Sequence, residues 1–90
     1  MSEQENETLL EFPCEFPIKV MGKATEEFEK TVYDIIHRHV PDLTEGAIKT
    51  RLSRDENYLS ITVTITATSK DHLDNLYIEL TASEHVLMAL

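Results

Sequence analysis

From residue 58 to residue 68 the chain alternates without a break. Leu59, Ile61, Val63, Ile65 and Ala67 fall on one parity, and Tyr58, Ser60, Thr62, Thr64 and Thr66 on the other. A period of two becomes one apolar and one polar face only in a strand, so this stretch predicts a strand buried on one side and open on the other. Phe16, Ile18 and Val20 alternate with Pro17, Lys19 and Met21 in an earlier strand. That strand is expected to end at Gly22, where the chain turns, and Pro17 suits a strand start or an edge because it cannot donate to a ladder. In residues 47–53, Ile48, Thr50 and Leu52 take one side and Lys49 and Arg51 the other, and the polar run of residues 54–57 joins this strand to the long one as a hairpin. The closing run, residues 86–90, is apolar on both parities and predicts a last strand.

Two stretches have the helical period instead. Behind Thr25, a capping residue, Glu26, Glu27 and Glu29 occupy a first turn where the helix dipole favours negative charge. Phe28, Val32, Ile35, Ile36 and His39 then share one face, and Pro41 stops the helix. Ser69 caps a second helix in which Leu73, Leu76, Tyr77 and Leu80 form the apolar stripe and Ile78 lies off it.

The resulting order is strand, helix, strand, strand, helix, strand. Short connections, right-handed crossovers and two single-faced helices make this an α+β, ferredoxin-like βαββαβ fold, a four-stranded antiparallel sheet with both helices on one face. The first and third strands are central in that topology. With Phe16, Ile18, Val20, Ile48, Leu52, Ile61, Val63 and Ile65 turned to the helices, the pleat sends Lys19, Met21, Lys49, Arg51, Ser60, Thr62, Thr64, Thr66, Leu87 and Ala89 to the other face. Three of the eight basic residues thus gather on one sheet surface, while acidic residues crowd the helices and the N-terminal segment. Residues 1–8 are polar and acidic and are expected to be a disordered tail. Residues 9–90 form one domain, with Leu9, Leu10 and Phe12 docking on its body.

Charge narrows the function classes. A formal net charge of −9 over 90 residues repels phosphate backbones and anionic lipid, so neither nucleic acid nor membrane is an expected partner. The open face also lacks the aromatic side chains that a sheet-faced RNA binder stacks on bases. No apolar run is long enough to span a bilayer, and the single cysteine, Cys14, suits a reducing compartment, so a cytoplasmic protein is expected. No metal or cofactor signature is present. His37 and His39 are two apart on a helix and point in different directions; His39 is expected to cap last-turn carbonyls with its side chain, and His72 and His85 to be surface residues. Cys14 has no histidine at a catalytic spacing, so no catalytic residue is assigned.

Two regions remain as binding candidates. One is the first strand-to-helix turn, where Met21, Gly22, Lys23 and Thr25 offer amides, a hydroxyl and a cation beside a helix N-terminus. The other is the open face, with Lys19, Lys49, Arg51, Thr62 and Thr64. A small carboxylate ligand, paired by one of those cations and by turn amides, is the leading expectation. The alternative is a protein-interaction module that uses the open face or an edge strand, including pairing with itself as a homodimer.

The run Leu9-Leu10-Glu11-Phe12-Pro13, then Lys19-Val20-Met21-Gly22, His39-Val40-Pro41, Tyr58-Leu59-Ser60, Leu76-Tyr77 with Leu80 and the closing Val86-Leu87-Met88-Ala89-Leu90 together resemble the small bacterial YbeD-like proteins. The resemblance spans nearly the whole chain from Leu9 onward. It implies a ferredoxin-like domain similar to the ACT regulatory domains, no catalytic residues, and a regulatory or ligand-binding role linked to lipoate or amino-acid metabolism.

Overall fold

The computed structural model describes residues 11–90, so the expected tail at residues 1–8, and Leu9 and Leu10 of the docking segment, lie outside the described residues. The elements follow the expected order: β1 (Cys14–Lys23), α1 (Glu26–His39), a short 3-10 turn (Glu45–Ala47), β2 (Ile48–Leu52), β3 (Tyr58–Ala67), α2 (Lys70–Ala82) and β4 (Val86–Ala89). They form one antiparallel sheet in the order β2-β3-β1-β4, with β1 and β3 central. This is the ferredoxin-like α+β fold.

Both helices start on the caps the sequence provides. Thr25 Oγ1 accepts from the Phe28 amide at 3.1 Å, and Ser69 Oγ from the His72 amide at 3.1 Å, satisfying donors that have no partner inside a helix. The apolar stripes Phe28, Val32, Ile35 and Ile36 of α1 and Leu73, Leu76 and Leu80 of α2 are buried on the sheet. They meet Ile18, Val20, Ile61 and Val63, each 0 % exposed, along with Ile65 and Ala67. Phe16 and Ile48 join this core from its margin.

Several boundaries differ from expectation, each for a local reason. β1 runs on through Gly22 to Lys23, pairing with β3 as far as Tyr58. Gly22 is therefore not a turn glycine. It is a packing glycine, because a Cβ there would lie 2.5 Å from two ring carbons of Phe28 and 2.6 Å from the His85 carbonyl oxygen. Pro17 sits inside the strand, opposite Thr64. Lys19 exchanges both backbone bonds with Leu90, at 3.1 and 2.7 Å. Two residues earlier, the Pro17 nitrogen points the same way, past the end of the β4 pairing, where no ladder donor is required.

The β4 assignment also changes. Met21 pairs with Met88 but Gly22 pairs with Val86, so Leu87 is an extra bulged residue. A bulge reverses the parity beyond it. Ala89 consequently pairs with Val20 on the helix side, whereas Met88 and Leu90 take the open-face positions expected for Leu87 and Ala89. Leu52 does face the helix side, opposite Leu59, yet it is 47 % exposed. The helices lie over β1, β3 and β4, and along β2 only Ile48 is even half-buried.

Candidate functional site

The register turns the open face into an ordered grid. Leu90, Lys19, Thr62 and Lys49 form one cross-strand row, and Met88, Met21, Ser60 and Arg51 the next. Side chains opposite each other in a ladder are near neighbours. The β4 side of the face is thus apolar, the β3 column is hydroxyl-bearing, and the β2 side is cationic. Lys19, Lys49 and Arg51 take part in none of the ion pairs found among the described residues. The only acidic side chain on these two central strands is Glu15, at the far end beside Thr66.

The nine residues singled out from the sequence do not share one site. Lys19, Met21 and Arg51 line a shallow depression of about 240 Å³ with Tyr58 and Ser60, a little below the usual size of a small-molecule pocket. Lys49, Thr62 and Thr64 border a second hollow further along the sheet, with Glu15 and Thr44. Lys23 and Thr25 line a third, formed with Phe28, Glu84, His85 and the bulged Leu87. Gly22 is buried beneath Phe28 and offers nothing to a ligand.

The expected anion cradle at the first strand-to-helix turn is largely committed elsewhere. The Ala24 amide donates to the Asn57 carbonyl at 3.0 Å and the Thr25 amide to the Lys23 carbonyl at 2.8 Å. Thr25 Oγ1 is the helix cap, and Glu27 and Glu84 stand in the same hollow as Lys23. The Ala24 and Thr25 amides and the Thr25 hydroxyl are thus used within the fold, and two carboxylates share the hollow with Lys23. The open face supplies three cations.

His85 is exposed, as expected, and so is His37, but His39 and His72 are not placed as expected. The His39 side chain does not cap its own helix; its Nε2 donates to Glu79 Oε1 of α2 at 2.7 Å, and Arg38 pairs with the other carboxylate oxygen. The hydrogen bond from His39, then the Arg38 pairing, hold the Glu79 carboxyl below its ordinary range. His72 is not merely a surface residue. Its Nδ1 accepts from the Thr68 amide at 3.2 Å and its Nε2 donates to the His39 carbonyl at 2.8 Å, so it is His72 that satisfies the last turn of α1. These contacts tie the two helices together, and no spacing within either helix signals them. Among the described residues no group of three or more His, Cys, Asp or Glu is placed to hold a metal ion, and no helix is long and apolar enough to cross a membrane.

Residues 7–90 match the model of a family described as a protein of unknown function, DUF493. The chain belongs to this family. UPF0250 proteins are its relatives: that of Chromobacterium violaceum is 43 % identical over 90 residues, covering 100 % of both chains. Those of Janthinobacterium and Neisseria meningitidis serogroup A are 48 % identical over 84 residues and 45 % identical over 91. The alignments cover 93 % and 100 % of this chain and 92 % and 100 % of those proteins. The YbeD-like resemblance read from the sequence is to this same DUF493 group. Among solved structures, protein HP0495 from H. pylori superposes with a TM-score of 0.69 at 13 % identity, covering 90 % of this chain and 85 % of that one. The uncharacterized protein TM1266 from Thermotoga maritima gives 0.65 at 17 %, covering 84 % and 92 %. At such identities these likenesses show the fold alone.

Proposed function

We propose that the protein is a non-enzymatic binding module whose open sheet face takes a small carboxylate-bearing ligand with an apolar tail. The observation that supports this reading is the depression around Ser60, where Lys19 and Arg51 stand on either side, with Met21 and Tyr58 also in its lining. A carboxylate set there gains charge-assisted hydrogen bonds from the two cations and the Ser60 hydroxyl. Its tail runs over Met21 toward Met88 and Leu90, which the register puts on the β4 side and which are 49 % and 63 % exposed. Lipoate and octanoate have this chemistry. The link to lipoate or amino-acid metabolism that the YbeD-like resemblance implies adds free amino acids to the ligand classes to test.

An NMR shift titration of the full chain with lipoate, octanoate and a free amino acid tests this reading. Movement is expected at Lys19, Met21, Arg51 and Ser60 with the amphipathic acids, and Lys19→Ala with Arg51→Ala is expected to weaken binding at least tenfold while leaving the spectrum folded. Titration curves of the double variant that overlay the parent would place the ligand elsewhere.

A further inference from the structure

We propose that the outer edge of β2 (Ile48–Leu52) is a strand-addition site for an extended protein segment in which acidic and apolar side chains alternate. Ser53 donates to the Tyr58 carbonyl at 2.8 Å across the hairpin. By the alternation of an antiparallel ladder, Arg51 and Lys49 then also direct their backbone groups toward β3. Thr50 and Leu52 direct theirs outward, and neither makes a backbone bond to any described residue outside the β2–β3 ladder. The Ile48 amide is taken by the Glu45 carbonyl. Two residues thus offer four backbone groups with no partner among the described residues, on a regular strand, the template that strand addition uses.

The flanks of that edge state what it accepts. On the open face, positions 49 and 51 carry Lys and Arg, which join none of the ion pairs among the described residues. On the helix side, Thr50 borders a groove of about 440 Å³ that Ile48 and Glu45 share with Tyr33 and His37 of α1, and Leu52, on the same side of the strand, is half-exposed beside it. An added strand puts its residues opposite Lys49 and Arg51 on the cationic face and the residues between them over Thr50, Leu52 and the groove. Charge complementarity therefore selects acid, apolar, acid at successive positions, and opposite charges across a strand pair stabilise it. A second copy of this chain is a poor occupant. Antiparallel pairing of two β2 edges centred on Thr50 sets Lys49 against Arg51 of the other copy, and like charges directly opposite destabilise a pair. The other sheet edge is different in kind: β4 is four residues long and broken by a bulge, devices that blunt an edge.

The test is an amide-resolved NMR titration of the full chain with a capped peptide, Thr-Glu-Val-Glu-Val-Thr, at millimolar concentration and low salt. Shifts centred on Thr50 and Leu52, with slowed deuterium exchange of those two amides, are expected. The same peptide with Lys in place of Glu, and the peptide N-methylated at both Val residues, should each bind at least tenfold more weakly, as should the Lys49→Glu, Arg51→Glu chain, whose folding its own spectrum checks. Lys19→Ala should leave peptide binding unchanged, which separates this edge from the ligand depression. Undiminished binding of the N-methylated peptide, shifts that bypass Thr50 and Leu52, or no shifts at all would each overturn the proposal.

Discussion

The two faces of one pair of strands obey different physics. On the helix side of β1 and β3, Ile18, Val20, Ile61 and Val63 are each 0 % exposed and packed under two helices, so every atom there counts toward the small net stability of a domain this size. One residue along, Lys19 and Thr62 project from the same backbone onto the open face, Lys19 exposed and Thr62 partly so. The contrast teaches where selection for folding ends on this chain. The covered face is constrained by volume, while the open face is free to carry chemistry.

The largest test of that contrast sets neighbours against each other. Ile61→Ala should cost about 2–5 kcal/mol through lost transfer energy and a cavity, whereas Thr62→Ala should stay within about 0.5 kcal/mol; urea unfolding of the two variants reads the difference directly. A comparable loss for both would mean that the open face is covered in solution.

A smaller effect is expected at the point where the covered face is tightest. Gly22→Ala must push the Phe28 ring or the His85 carbonyl aside, and overpacking of this kind costs about 1–3 kcal/mol. Thermal unfolding checks it, and an unchanged midpoint would show that the ring yields freely.

The smallest effect lies outside both faces, at the helix ends. Because the Glu79 carboxyl is held below its ordinary value of 4.5 by His39 and Arg38, its contribution is present above that value and is lost as pH falls through the lowered one. The parent should therefore be more stable than Glu79→Gln at neutral pH, and the gap should close as pH falls below that ordinary value. Urea midpoints measured across that range give the sign, and a gap independent of pH would assign the contact to packing alone.

Much of this molecule is legible in the sequence because it depends on local periodicity. The strand at residues 58–68, the stripes of α1 and α2, the caps Thr25 and Ser69 and the central position of β1 and β3 all follow from alternation, helical spacing and short connections. The cationic open face follows from the same parity. Gly22 reads as a turn residue on composition but lies within β1, and Phe28, six residues away, is what requires a glycine there.

What only the tertiary structure decided involves pairs remote in sequence. The bulge at Leu87 depends on how β4 meets β1, and it exchanges Leu87 and Ala89 for Met88 and Leu90 on the open face. His39 Nε2 and His72 Nε2 each find their partner on the other helix. The uncovered flank of β2 depends on where the two helices settle over the sheet. The sequence determined which side β1, β2 and β3 turn to the helices, because a period of two needs only the chain itself. The meeting of remote residues determined which parts of the other side are left free to bind, because register and helix placement are set by packing across the whole fold.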